Sequence, residues 1–433
     1  MSVKITLLKN TGYNLAGYFY LLLTSFFSIS ILLQNLGRDL FGLYVLLVSV
    51  IGMSSVFDFG LSAALIRKLS LNDIGHEEKR TYWQTSLFLF LTISSMVALI
   101  AGLVVNHLSI NLYIFHFISR QTAINVNISL FFLIFFNNLN NHFLSLPQAN
   151  HRFDIFNSKS FLVGSANTIF SAWLSYFYPR IDYIFYLQLI FHIITLSVLI
   201  KYSQSTFSFI ETIPKIHRQA VKDLFHFGFR NFIGTLAGQV EAQFSNFMLG
   251  AMVSAQAVTS FNIPQSIVTK GAGIISQFSQ AFFPLSSSLM GKDRILKLRQ
   301  LYLSVQGLTL FIGIMSVFAA HYFGHAFLLF WLKDVVVVEA ATPVLKTLSW
   351  YFLLLSLTPI PTSLLQGLNK PQIPSFFAVL TVTVEIVISI FLIPKYQAVG
   401  IAIAFLTAQL ITTPIFLYIT WNILQKEIQS HYN

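Results

Sequence analysis

The stretch Phe261–Leu285, FNIPQSIVTKGAGIISQFSQAFFPL, carries one charged residue, Lys270, in a run otherwise free of charge. A helix crosses a bilayer with about 20 apolar residues, so this run is long enough to span one. A lysine near the midplane costs roughly 2.5–3.5 kcal/mol on insertion scales, and it persists only where it faces protein or water and meets an anion. Asn262, Ser266, Thr269, Gly273, Ser276 and Gln280 recur at helical spacing, with Gln277 beside them. The helix therefore has one polar face. A wet, cationic groove inside a bilayer suits an anionic passenger.

The rest of the chain agrees with a membrane setting. Its 433 residues are 55% hydrophobic and 9% charged, where a soluble protein carries about a quarter charged residues. Mean hydropathy is +0.71. The expected class is an all-α polytopic membrane protein. The absence of cysteine excludes a disulfide framework and thiolate metal sites. Lys4 and Lys9 precede an apolar stretch that runs to Leu33. That stretch is too long for a signal-peptide core and has no small-residue cleavage site after it, so a retained first helix is expected. The formal charge of +11 fits basic loops on an anionic cytoplasmic leaflet better than nucleic-acid binding.

Twelve apolar runs have membrane length: 11–33, 41–66, 84–106, 124–147, 156–177, 183–201, 227–250, 260–286, 299–320, 343–366, 372–393 and 398–423. The shorter amphipathic stretch His107–Thr122 is expected at the outer interface. With the N-terminus inside, nineteen of the 26 Lys and Arg residues fall on inner segments, six on outer ones, and Lys270 within the membrane. That bias predicts both termini on the cytoplasmic side.

The two halves read as copies. Asn14-Leu15-Ala16-Gly17 matches Thr235-Leu236-Ala237-Gly238, Tyr178-Pro179-Arg180 matches Ile393-Pro394-Lys395, and Asn150-His151 matches Asn369-Lys370, at offsets of 221, 215 and 219. Residues 1–214 and 215–433 are thus expected to form two six-helix bundles. They are related by an axis along the membrane normal, with a cavity between them.

Other spans repeat the polar face. In span 7, Gly234, Gly238, Glu241 and Ser245 form a stripe beside Thr235, Gln239, Ala242 and Asn246. Span 2 places Ser55, Asp58 and Ser62 one turn apart, with Arg67 at its inner end, and span 1 offers Asn14, Gly17, Thr24 and Ser28. Span 4 has a polar inner end of Asn137, Asn138, Asn141, His142 and Ser145. The cavity candidates are Lys270, Arg67, Asn262, Ser266, Gln277 and Gln239, and the candidates for binding a coupling H+ or Na+ are Asp58 and Glu241. Each has a plainer reading. Asp58 hydrogen-bonds a neighbouring helix or pairs with Arg67. Glu241 and Lys270 neutralise one another. Arg67 and Lys68 anchor the inner face, His192 is a hydrogen-bonded core histidine, and Glu385 is structural.

Catalytic signals are absent. No GxxxxGK[ST] loop, HExxH motif or Asp-rich diphosphate site occurs, and no loop is large enough for a catalytic domain. The chain is therefore read as a non-enzymatic transporter without cofactor or metal. A polymerase of lipid-linked sugars would need a large outer loop, which is missing.

Four segments carry a family resemblance: Phe41-Gly42-Leu43-Tyr44; Phe57-Asp58-Phe59-Gly60-Leu61-Ser62-Ala63-Ala64-Leu65-Ile66-Arg67; Leu364-Leu365-Gln366-Gly367-Leu368-Asn369-Lys370; and Ile393-Pro394-Lys395-Tyr396-Gln397-Ala398-Val399-Gly400-Ile401-Ala402. With them the chain resembles the multidrug/oligosaccharidyl-lipid/polysaccharide exporters, and within them the Wzx-type O-antigen flippases. The resemblance implies two six-helix bundles in a V, alternating access and residence in a bacterial inner membrane. The implied passenger is an undecaprenyl-diphosphate-linked oligosaccharide, passed to other polysaccharide-assembly proteins. It maps the family's cationic cavity onto Lys270 and Arg67, with fewer cations than the lipid II flippases carry. The competing expectation is a cation-coupled multidrug extruder of the same superfamily. A cavity lysine opposes it by repelling cationic drugs.

Overall fold

The computed structural model describes residues 3–71, 74–111, 118–150, 152–207, 213–288 and 295–432, and no strand occurs among them. Helices dominate because a bilayer offers backbone N–H and C=O groups no partner outside the segment itself. Seven described helices are long and apolar enough to cross a membrane. Two of these are pairs merged across a kink, at Gly37 (φ 76) and Gln397 (φ 50). Three further passages, Phe153–Ser165 continued to Phe177, Arg218–Met252 and Ala255–Ser288, have the length but a more polar composition. Together these make the twelve expected spans.

Three expectations change in detail. Span 2 is not one continuous helix. Phe59 (φ 50) and Gly60 (φ 75) turn left-handed and split it into a short 3-10 segment, Ser55–Asp58, and the helix Leu61–Ser70. The interfacial stretch His107–Thr122 is partly helical crossing, since helix His76–Asn111 runs through its start and helix Arg120–Ala149 takes in its end; residues 112–117 lie outside the described residues. Span 5 contains a π-helical turn, Ala166–Phe170. The Tyr44 hydroxyl donates to the Asn167 carbonyl there, at 3.2 Å, and so satisfies a backbone group that the widened turn leaves open.

The chain divides into two compact units, Met1–Gln243 and Phe244–Asn433, with the division inside helix Arg218–Met252. In the first, Trp83, Leu61, Leu65 and Leu146 are fully buried in a cluster that takes in Ala220 and Leu224 from the start of that helix. In the second, Phe282, Leu298, Ile360, Leu364 and Leu424 form the main cluster. Lipid tails are as apolar as these side chains, so shape fit and interhelical hydrogen bonds hold such bundles. Gln188 Nε2 donates to Tyr44 Oη at 3.1 Å in the first unit. Ser279 bonds Ser363 at 2.7 Å and Thr381 donates to Thr412 at 2.9 Å in the second.

Three helix breaks recur at spacings of 217–219 residues in the two units. Gly37 and Ser254 lie 217 residues apart, Arg180 and Gln397 also 217, and Asn150 and Asn369 219. The two spacings of 217 fall inside the range of the three sequence matches, and the third is the Asn150–Asn369 match itself.

Candidate functional site

Asp58 ends the 3-10 segment, and its Oδ1 accepts the Ser62 N–H at 2.9 Å. The carboxylate thus caps helix Leu61–Ser70, where the helix leaves its first amides unpaired and its dipole favours a negative charge. Among the described residues Asp58 forms no ion pair with Arg67. Arg67 is exposed, and its guanidinium carbon stands 4.4 Å from the centre of the Phe227 ring.

The turn at Phe59 and Gly60 packs backbone to backbone against Gly228 of helix Arg218–Met252. A Cβ on Gly60 would collide with the Gly228 carbonyl, and one on Gly228 would lie 2.8 Å from the Phe59 oxygen. Two glycines therefore allow the crossing. Phe59 stacks near Phe232 and Phe225, at 5.2 and 6.5 Å. Beyond them, Lys68 Nζ donates to Tyr82 Oη at 2.8 Å, and Tyr82 Oη donates to Asp223 Oδ2 at 2.7 Å. Gln219 Nε2 donates to the other Asp223 oxygen at 3.0 Å. The Tyr82 hydrogen bond, with the Lys68 charge behind it, holds the Asp223 carboxyl below its ordinary value. A continuous seam ties residues 59–68 to the start of the seventh span.

Glu241 and Gln239 lie half-buried farther along the same helix. The stripe neighbours Gly234 and Thr235 have side-chain surroundings outside the description, while Ser245 and Asn246 are buried. In the second unit, Lys270 sits at the middle of the 34-residue helix Ala255–Ser288. Asn262, Ser266, Lys270 and Gln277 are all half-buried on that helix. Their spacing puts them on one face. The Ser266 hydroxyl donates to the Ile263 carbonyl at 2.7 Å. The structure therefore gathers four of the six cavity candidates in the second unit, Gln239 and Glu241 on the seventh span, and Asp58 and Arg67 at the seam.

His192 is a core residue, 4% exposed, with Asn140 donating to its carbonyl at 3.0 Å. The sequence reading passed over the partners of Lys68 and over Lys159, whose ammonium donates to Asn141 Oδ1 at 3.2 Å. The signal for Lys159 was present: it lies six residues inside helix Phe153–Ser165, beyond an exposed Arg152–Asp154 pair at 2.8 Å that marks the helix start. No sequence signal pairs Tyr82 with Asp223, which lie 141 residues apart.

The profile of the family described as Polysaccharide biosynthesis protein matches residues 7–290. The chain belongs to this family. A second profile, MatE, matches residues 232–391. A Shigella flexneri relative, provisionally named an O-antigen transporter, is 23% identical over 412 residues, 92% of this chain and 94% of its own. Among solved structures, the lipid II flippase MurJ in an inward closed conformation superposes with a TM-score of 0.75 at 15% identity, covering 96% of this chain and 90% of its own. An inward-facing multidrug resistance MATE family transporter of the MOP superfamily gives 0.69 at 16% identity, covering 98% and 96%. The family member described here is thus a multi-pass membrane transporter of the MOP superfamily fold.

Proposed function

We propose that the chain flips an undecaprenyl-diphosphate-linked oligosaccharide, an O-antigen or related repeat unit, from the cytoplasmic to the periplasmic leaflet by alternating access. The observation that carries the reading is Lys270, an ammonium at the middle of a membrane-length helix, on a face with Asn262, Ser266 and Gln277. An intramembrane cation marks a ligand pathway more often than a packing role. The polar residues beside it offer donors and acceptors for sugar hydroxyls. The family, and the relative named for O-antigen transport, support the same passenger. The protein then works in a bacterial inner membrane, with both termini cytoplasmic and no cofactor, and hands its product to other polysaccharide-assembly proteins.

The second reading, cation-coupled multidrug extrusion, has the MatE match over residues 232–391 in its favour. Lys270 opposes it, because a fixed positive charge repels cationic drugs. Removing the protein from its host separates the two. Flipping predicts a lipid-linked oligosaccharide accumulating on the inner leaflet; drug extrusion predicts drug sensitivity with lipid-linked sugars unchanged.

A further inference from the structure

Within the second unit, two cavities flank the Lys270 helix on the side adjoining its polar face. One, of about 410 Å3, is bounded by Ile267, Val268, Gly271, Ala319, Phe323 and Phe352. The other, of about 420 Å3, is bounded by Gly271, Ile274, Phe278, Leu308, Ile312 and Phe352. Gly271 and Phe352 belong to both. A Cβ on Gly271 would lie 3.0 Å from Phe352 Cε2, so glycine lets the Phe352 ring close against the helix where the two cavities adjoin. The few hydroxyls at their walls turn back onto their own helices. Ser316 donates to the Gly313 carbonyl at 2.7 Å, Ser349 to Lys346 at 2.7 Å and Thr309 to Gln306 at 3.0 Å. The cavities are therefore apolar in what they offer a guest.

The wall residues Ile267, Gly271, Ile274, Phe278 and Phe282 of helix Ala255–Ser288 follow one stripe. At about 100° per residue, Lys270 stands about 100° round the helix from Gly271, and Gln277, Ser266 and Asn262 follow in the same direction. Passing round this helix, one meets an apolar groove, then a cation, then a polar face. That order is complementary to an amphiphile with a long hydrocarbon chain, an anionic head and a hydroxylated group beyond it. The cavities adjoin end to end along the helix, on either side of the Gly271–Phe352 contact, in the order a single extended chain would follow.

We propose that these cavities hold the hydrocarbon chain of a polyprenyl diphosphate, laid over the Gly271–Phe352 contact, with its diphosphate turned round the helix edge to Lys270. This rests on the flippase reading above and assigns the lipid part of that passenger its site. Ordinary membrane phospholipids share the chemistry of apolar chain and phosphate, so the test includes them. The full chain in nanodiscs is titrated with undecaprenyl diphosphate, undecaprenol and phosphatidylglycerol, and bound lipid is read by native mass spectrometry. Ala319→Trp fills the first cavity from an exposed position, and Gly271→Leu pushes the Phe352 ring, a wall of both cavities, out of place. Both are expected to weaken undecaprenyl diphosphate binding about tenfold or more, a loss of about 1.4 kcal/mol. Lys270→Gln is expected to bind undecaprenol like the wild type but to lose the preference for the diphosphate. Wild-type affinity in both Ala319→Trp and Gly271→Leu overturns the tail site and leaves the flippase reading standing. Equal retention of phosphatidylglycerol and undecaprenyl diphosphate by the wild type overturns the assignment in favour of bulk lipid. Failure of the wild type to bind undecaprenyl diphosphate at all overturns this proposal and the flippase reading together.

Discussion

An ammonium halfway along a 34-residue helix has to be answered by an anion or by water. That requirement made Lys270 legible from sequence, because charge inside an apolar run is scored directly by hydropathy. It yields the first prediction. Lys270→Ala abolishes surface polysaccharide in a complementation assay, and Lys270→Arg, which keeps the charge, retains part of it. The second prediction separates the two carboxylates proposed for H+ or Na+ coupling. Asp58 already accepts the Ser62 amide at 2.9 Å, and asparagine keeps that acceptor while removing the charge. Asp58→Asn should therefore leave the ion dependence of transport intact, while Glu241→Gln should remove it, measured with potential and ion gradient set independently. Ion dependence lost in Asp58→Asn and kept in Glu241→Gln reverses the assignment. The role of Asp58 as a cap was not readable from its spacing with Ser55 and Ser62. Regular helical spacing hides a chain break, and the break depends on Gly60 at φ 75.

Helix ends, rather than ligand contacts, account for much of the family signature. Gly60 makes the left-handed turn that meets Gly228. Asn369 (φ 59) ends helix Pro359–Gly367, with Lys370 N–H returning to the Leu365 carbonyl at 2.8 Å. Lys370 then pairs with Glu427 at 2.7 Å. Gly400 follows the kink at Gln397, where a Cβ would lie 2.6 Å from the Leu392 oxygen. The twelve spans were legible because lipid demands long apolar helices. These turns were visible only as motifs, because what they satisfy is a backbone approach made by the fold. Gly60→Ala combines a left-handed strain of about 1–2 kcal/mol with a clash against Gly228. It is expected to lower the melting temperature in detergent clearly, and Gly17→Ala, with open space at its Cβ, is expected not to. Equal stability of both variants would remove the crossing from the fold's support. The Asp223 tie has a pH signature. Its carboxyl is held below the ordinary value of about 3.9, so its contribution is complete above that pH and fades as pH falls through the lower folded value. The group is partly exposed, at 29%, so the tie is worth about 1 kcal/mol. Asp223→Asn should therefore cost the same at pH 6 and pH 8, and the gap to wild type should close only in strong acid. A gap that changes between pH 6 and 8 would assign the effect to another group.

At the scale of the whole chain, breaks repeated at spacings of 217–219 residues argue that one six-helix plan was used twice. The first span should superpose on the seventh at an offset of about 215–221, and a better fit to any other span would end the repeat reading. The proposed lipid-linked passenger would bring its own energy source. The diphosphate carries about two negative charges, and each is worth about 2.3 kcal/mol per 100 mV when it leaves a negative interior. The most direct measurement is flipping in proteoliposomes: purified protein, undecaprenyl-diphosphate-linked oligosaccharide in one leaflet, an imposed potential, and a sugar-modifying enzyme outside to read arrival. Wild-type protein should deliver the lipid faster with an interior-negative potential, and Lys270→Ala should fall to the protein-free rate. Delivery by wild-type protein no faster than the protein-free rate, or equal delivery by wild type and Lys270→Ala, would contradict the claim that this chain flips the lipid through its Lys270 face.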